Sequence, residues 1–335
     1  MDRTQYLINK IKTIPQKPGI YLMKDSQGNI IYIGKSKSLY NRVKSYFNTD
    51  HKWNKINIMV SNIYDIDFIV TDTHLEAQLL ECALIKKVKP IYNSQFKNDN
   101  KYVYLKIEDY NRYNSLSVVH NKDSAYCLGP YRNKNIIINL VDYLRNLYPI
   151  KSYPGLYKFT YKALPVTLDK NDFMENRESL KEIFFKKENM ESFMLQIEKN
   201  MKEASHLLQF ERASYYRDLL TCLRYLYNSN NTSLTNNKKF LMGEKLDHGY
   251  KLFFISDGRL VLKRKFAQVT RDNIEEFLYQ AVRLENILKA YRNEKRDLDF
   301  IYIIDRELKV KDSKLIETVE EDFNSGSFLN KLLQL

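Results

Sequence analysis

Two short apolar stretches near the N-terminus constrain the fold most. Gly19–Met23 (GIYLM) and Ile30–Gly34 (IIYIG) are rich in β-branched and aromatic residues, and they flank the turn-forming stretch KDSQGN, Lys24–Asn29. Together they predict an antiparallel hairpin. With Asp25–Gly28 as the loop, Lys24 pairs with Asn29 and Tyr21 stands opposite Tyr32. Side chains alternate along a strand, so both tyrosines share one face, while Ile20, Leu22, Ile31 and Ile33 point to the other and supply core. A helix is expected over Ser38–Phe47, with Leu39, Val43 and Phe47 at helical spacing, and a short one over Asn54–Ser61. Asp65–Thr71 has strand character. Thr73–Val88 is a helix opened by the capping-box pair Thr73 and Glu76 and followed by Pro90. The first 95 residues thus read ββααβα, an α/β module.

The rest of the chain is more helical. Lys101–Ile107 looks like a strand, Ser117–Leu128 is ambiguous, Asn135–Leu147 is helical and Lys151–Asp172 is irregular. Glu178–Leu208 and Glu211–Tyr227 form a helical hairpin. NSNNTSLTNNKK, Asn228–Lys239, is a polar linker. Beyond it, Asp257–Gly258 joins strands Lys251–Ser256 and Arg259–Phe266. A helix at Asn273–Arg292, a strand at Phe300–Ile304 ending on Asp305, and a helix after Ser313 follow. The expected architecture is a multidomain α/β (α+β) chain. Its segments are a small mixed or antiparallel sheet with flanking helices (1–100), an extension (101–177), a helical region (178–227), a linker (228–239) and a small α+β domain (240–335).

Chemistry gathers in the first segment. Tyr21 and Tyr32 share a face, Lys35 follows Gly34, and Arg42 and Tyr46 are one helical turn apart. If these groups converge they suit a phosphodiester, because cations offset phosphate charge and a phenol relays a proton. Such a cluster needs a metal or a strong base. Glu81, among Ala77, Gln78, Leu84 and Ile85, is a part-buried carboxylate in need of a partner. Taken singly, each residue has an ordinary structural role: an aromatic pair, solvated cations, a boundary ion pair, a turn asparagine at Asn93.

As an ordered set they resemble the GIY-YIG nuclease family. The resemblance lies in Gly19-Ile20-Tyr21, Tyr32-Ile33-Gly34, Lys35, Arg42, Tyr46, and LLECALIKKVKPIYN from Leu79 to Asn93. It is strongest to the UvrC excinuclease subfamily. That resemblance implies Glu81 as the ligand of one divalent cation, Mg²⁺ or Mn²⁺, and Tyr32 as general base. Arg42 and Lys35 would hold the phosphate, Tyr21 and Tyr46 complete the pocket, and Asn93 fix it from behind. A tyrosine with a pKa of ~10 is a poor base at neutral pH, so nearby cations are expected to lower it. The helical hairpin resembles the UVR motif, which implies contact with the UvrB helicase through Phe210, Glu211, Arg212, Tyr216 and Arg217, while Leu207, Leu208, Phe210, Ala213, Leu219 and Leu220 pack the hairpin. Two such helices bury little by themselves, so pairing with a second hairpin is plausible. Leu128-Gly129-Pro130-Tyr131 onward is similar to the segment where relatives carry a cysteine cluster. Here Lys151–Asp172 has no cysteine, and no iron–sulfur cluster is expected. KLFFISDGRLVLKRKF resembles the region before the second, RNase H-like nuclease of the subfamily, for which the 335 residues leave no room. In having one nuclease the chain is like the short homologues (Cho).

Charge points the same way. The chain has 54 Lys and Arg against 41 Asp and Glu, a net charge of +13, which favours a polyanion partner. Residues 1–105 hold 16 basic and 9 acidic side chains, so over half of the excess lies in the nuclease-like segment. The many tyrosines (26) could also stack on bases, although a composition this rich in Asn, Ile and Lys weakens that signal. No run is apolar enough to span a membrane and the N-terminus lacks a signal core, so a cytoplasmic location is expected. The three cysteines, Cys82, Cys127 and Cys222, form no metal pair. The activity that the family resemblance implies is metal-dependent nicking of one strand of damaged double-stranded DNA, 3′ to a lesion held by UvrB, with UvrA acting upstream. The alternatives are a non-catalytic UvrB- or DNA-binding adaptor, and a GIY-YIG enzyme of a mobile element or restriction system.

Overall fold

The computed structural model describes residues 3–47, 54–111, 114–154, 156–231, 238–288, 293–310 and 313–335. The chain packs as two compact units, 1–99 together with 234–335, and 100–233. The five sequence segments therefore merge. The GIY-YIG-like segment and the C-terminal segment form one unit, and the extension and helical hairpin form the other.

The first unit opens with α1 (Arg3–Lys12), which the sequence reading missed; its Leu7 and Ile11 are buried one turn apart. Strands β1 (Gly19–Lys24) and β2 (Ile30–Ser36), helices α2 (Leu39–Ser45) and α3 (Asn54–Ser61), β3 (Asp65–Val70) and α4 (His74–Val88) follow the expected order. The sheet is antiparallel in the order β2-β1-β3. Its register corrects the expected hairpin. Tyr21 pairs with Gly34 and Met23 with Tyr32, a shift of two, and a β-bulge then brings Lys24 opposite Ile30. A shift of two preserves the face, so Tyr21 and Tyr32 still point the same way. The bulge sends Ile31 to the tyrosine side, where it packs with Tyr21, Met23, Leu39 and Val43, and not with Ile20, Leu22 and Ile33. The capping box of α4 forms as read. The Thr73 hydroxyl accepts from the Glu76 amide and the Glu76 carboxylate accepts from the Thr73 amide.

The second unit holds β4 (Val103–Ile107), β5 (Leu116–Val119) and β6 (Cys127–Tyr131) in the order β5-β4-β6, then α5 (Lys134–Arg145). The segment expected to be irregular contains a small hairpin, β7 (Lys151–Tyr153) and β8 (Leu156–Lys158). Three helices follow, α6 (Lys170–Phe185), α7 (Lys187–His206) and α8 (Phe210–Asn231). The hairpin α7–α8 is not a thin isolated pair. Its Phe193, Ile197, Tyr216, Leu219 and Leu223 join one core with Leu140, Leu144 and Tyr148. The expected polar linker begins inside α8, and its residues 232–237 lie outside the described residues.

The first unit resumes with β9 (Lys239–Lys245), β10 (Tyr250–Ser256) and β11 (Arg259–Phe266). Asp257 and Gly258 both take positive φ (49° and 72°), which suits the two-residue hairpin turn. Then come α9 (Arg271–Leu288), α10 (Glu294–Glu307), β12 (Lys314–Thr318) and α11 (Ser325–Leu333), with sheet order β11-β10-β9-β12. Two expectations fail here. Phe300–Ile304 is helix, because Asn293 caps α10 and Asp299, Ile303, Ile304 and Glu307 are buried at helical spacing; Asp305 sits on that helix and ends no strand. The segment after Ser313 starts as β12, and the final helix begins at Ser325.

Candidate active site

The site is built on β2, an edge strand of the first sheet. On one face Tyr21, Tyr32 and Tyr46 form a triangle with ring centroids 5.9–6.3 Å apart. The Tyr21 and Tyr46 hydroxyls share a hydrogen bond of 2.9 Å, and Arg42 Nη2 donates to Tyr46 Oη at 3.0 Å. The Arg42 guanidinium also lies 4.8 Å from the Tyr46 ring centre, a cation–π contact. Tyr21 and Tyr46 are buried, whereas the Tyr32 ring is only half-buried at the opening.

Gly34 makes this triangle possible. It pairs with Tyr21, and a Cβ at position 34 would collide with the Tyr21 hydroxyl and ring. Gly19 answers to a similar demand, since a Cβ there would run into the Ile69 carbonyl of β3. The two glycines of the motif therefore reflect close approach and not turn geometry.

The other face carries the carboxylate. Lys35 pairs with Ile20, so it lies on the face covered by α4. Glu81 on α4 is 8% exposed, and Lys35 holds it twice. The Lys35 amide donates to Oε1 at 3.1 Å and Lys35 Nζ donates to Oε2 at 2.9 Å. The buried carboxylate thus finds the partner it needed. Asn93 lies behind the strand. Its Oδ1 accepts from the Ile33 amide (2.9 Å) and its Nδ2 donates to the Ile33 carbonyl (2.8 Å), while the Tyr92 amide bonds the Ile31 carbonyl (3.0 Å). These bonds tie the segment after α4 to β2 and set the helix against the strand.

The structure therefore gathers all seven expected residues around β2, with Tyr21, Tyr32, Arg42 and Tyr46 on one face, Lys35 and Glu81 on the other, and Asn93 against the strand backbone. Tyr32 links the two faces electrostatically. Burial raises its pKa well above the ordinary phenol value, and the adjacent Tyr46 and the Glu81 carboxylate push it further, outweighing Arg42. Tyr21 shifts up for the same first reason, burial, with Tyr32 and Tyr46 adding to it. The expectation that nearby cations lower the tyrosine pKa is thus reversed in the chain by itself. Gly34 was read as part of the motif but without its role of making room for Tyr21, and the backbone amide of Lys35 was not singled out from sequence. The pairing of Gly34 with Tyr21 would have signalled the first, had the register been known.

Among the described residues no three His, Cys, Asp or Glu side chains gather as a metal cage. A cation at this site would rest on the Glu81 carboxylate, with water and substrate oxygens completing its shell. That donor set fits Mg²⁺, which keeps several waters.

The UVR-like residues divide sharply. Phe210 is 66% exposed, with Leu207 (68%) and Leu208 (71%) beside it, and Glu211 and Arg217 are also exposed. Tyr216, by contrast, is 1% exposed in the core of its own unit, so it offers no surface to a partner. Arg212 is half-buried and directs its guanidinium toward the Tyr161 and Tyr216 rings. Leu219 and Leu220 pack the hairpin as expected, but Leu207, Leu208 and Phe210 do not.

Sheet, motif residues and helix-borne glutamate define the class: residues 17–94 match the UvrC-like GIY-YIG domain. The curated relatives are UvrABC system protein C sequences. That of Acetivibrio thermocellus is 33% identical over 278 residues, 77% of this chain and 44% of the relative. That of Caldanaerobacter subterraneus subsp. tengcongensis is 31% identical over 331 residues, 91% of this chain and 52% of the relative. A solved structure, the GIY-YIG N-terminal endonuclease domain of UvrC from Thermotoga maritima bound to its catalytic divalent cation, magnesium, is 37% identical; the match covers 28% of this chain and all of that one, with a TM-score of 0.25. The chain is a UvrC-like GIY-YIG protein. It spans about half the length of the curated relatives it matches.

The Gly34 contact predicts that Gly34→Ala displaces Tyr21 and lowers stability by about 1–3 kcal/mol, the usual cost of overpacking. Urea denaturation followed by tyrosine fluorescence tests this. A midpoint equal to wild type would contradict it.

Proposed function

We propose that the protein is a metal-dependent DNA endonuclease of nucleotide excision repair. It would nick one strand, 3′ to a lesion, in a complex of UvrB with damaged double-stranded DNA. The observation that carries this reading is the juxtaposition at β2 of a buried carboxylate held by Lys35 and a phenol triangle held by Arg42. The non-catalytic adaptor reading leaves that set of buried polar groups without a purpose.

The geometry supports the following roles. Glu81 supplies the carboxylate for a divalent cation, which when bound lowers the pKa of water and offsets charge on the scissile phosphate. Magnesium, the cation of the Thermotoga maritima domain, suits a single carboxylate. Lys35 is the counter-ion of Glu81 in the chain by itself. Its ammonium is partly exposed on a flexible stem, so it can swing from Glu81 to a phosphate oxygen. Arg42 is fixed by Tyr46 and presents its remaining N–H groups to the phosphate. Tyr32 takes the proton of the attacking water, and Tyr21 and Tyr46 hold the triangle in place. Partner contact falls on the exposed apolar tip formed by Leu207, Leu208 and Phe210, where UvrB would cover surface that water now meets.

Three outcomes are expected. With UvrA, UvrB and Mg²⁺ on a lesion-bearing duplex, wild type nicks and Glu81→Gln does not, even in Mn²⁺. Equal cutting by both would remove Glu81 from the reaction. Because burial and Tyr46 raise the Tyr32 pKa, its phenolate is scarce at neutral pH and increases as pH rises. Single-turnover nicking should therefore climb about tenfold per pH unit between roughly pH 6 and 8, and Tyr32→Phe should abolish nicking. A flat profile would exclude Tyr32 as the base. Finally, Phe210→Ala should weaken UvrB binding about tenfold in a pull-down titration while leaving the melting temperature unchanged, since the ring is exposed. Unchanged affinity would move the contact elsewhere.

A further inference from the structure

Helix α4 is apolar on more than one side, and the first unit covers both. Ala77 and Ile85 face Ile20, Leu22 and Ile33 of the first sheet. Leu75 and Cys82 pack with Phe240, Met242, Phe253 and Ile255 of β9 and β10 and with Ile303 and Ile304 of α10. The helix that carries Glu81 is thus sandwiched between a sheet encoded before it and a sheet encoded far after it.

Charged side chains clamp the helix on the second side. In register across the four strands of that sheet stand Lys265, Lys251, Glu244 and Lys314. Lys251, whose side chain is 9% exposed, reaches Asp72 at 2.7 Å and Glu76 at 3.1 Å. Lys263 meets Glu76 at 2.6 Å and Lys265 meets Asp72 at 2.8 Å. Both acids belong to the first turn of α4 or the loop just before it. At the other end Lys86 pairs with the fully buried Asp299 of α10 at 2.8 Å. Between the two clamps, Gln78 donates to Glu307 at 3.3 Å. Ion pairs of this kind add little net stability relative to apolar packing, but they fix where the partners stand, because a buried charge tolerates no vacant neighbour.

We propose that the β9–β12 sheet and α10 act as a brace that positions α4, with Lys251 as the central positioning residue, so that the geometry of Glu81 depends on the C-terminal segment. The metal arm of the test rests on the reading of Glu81 as cation ligand; the brace itself does not. Lys251 touches no substrate and acts only through Asp72 and Glu76.

The full chain carrying Lys251→Met tests this in two ways. Amide hydrogen exchange reads the Lys35 N–H, which donates to Glu81 Oε1. Titration with Mn²⁺ alone, followed by the electron paramagnetic resonance signal of the free ion, reads the cation site. With far-ultraviolet circular dichroism unchanged, we expect Lys35 to exchange faster and Mn²⁺ affinity to fall about tenfold, the lower end of the loss seen when a group that orients a metal ligand is removed. Wild-type values in both arms would overturn the proposal. Should Lys251→Met fail to fold, Lys265→Met, which removes an exposed member of the same clamp, is read by the same two measurements and the same criterion. Glu81→Gln is run beside them. Wild-type Mn²⁺ affinity in that variant would overturn the cation assignment, and the exchange arm, which involves no metal, would still decide the brace.

Discussion

Burial of α4 between two sheets is the constraint on which the first unit depends. A helix with water on one side can leave its charges to solvent. One with protein on both sides must give each charge a partner. Glu76, Glu81 and Lys86 are charges of this kind, and each has one: Lys251 and Lys263, Lys35, and Asp299. The same constraint that stabilises the helix thus fixes the carboxylate of the site. Glu76 serves twice, as the capping-box acid and as the acceptor of two lysines from a distant sheet.

The site uses both faces of one edge strand. Alternation along β2 sends Tyr32 to one side and Lys35 to the other. Gly34 stands between them without a side chain, so the Tyr21 ring can cross over it. Rigidity comes from behind. Asn93 binds both polar groups of Ile33, which holds β2 and the end of α4 in one frame. The raised pKa of Tyr32 is the electrostatic consequence of this crowding. A phenol packed among phenols and close to a carboxylate has little to stabilise its anion.

The second unit treats its apolar side chains in two ways. Tyr216, Leu219 and Leu223 lie in a core that already includes α5, so the helical hairpin has packing partners within its own unit. At the turn between its helices Leu207, Leu208 and Phe210 have no such neighbours and stay exposed. From sequence, Leu207, Leu208, Phe210 and Leu219 were expected to pack the hairpin and Tyr216 to meet a partner, because sequence pattern reports hydrophobicity and period but not which side of a helix pair has company.

Much was legible from local signals. The order of the elements from β1 to β4 was readable except for register, and the capping box at Thr73 and Glu76 formed residue for residue. The shared face of Tyr21 and Tyr32 survived an error of two in register because the strand period is two. Where local signals compete, reading fails. FIYIID carries β-branched and aromatic residues suited to a strand, yet Asn293 caps a helix upstream and the buried positions repeat at helical spacing. The sequence by itself determined the hairpin, the capped start of α4 and the residue types of the site, since propensity, turn chemistry and capping act over a few residues. Only the tertiary structure decided the register and the bulge, the partner of Glu81, the burial of Tyr216 and the bracing of α4 by residues far along the chain. Each of these depends on which surfaces meet, and no local stretch of chain carries that information.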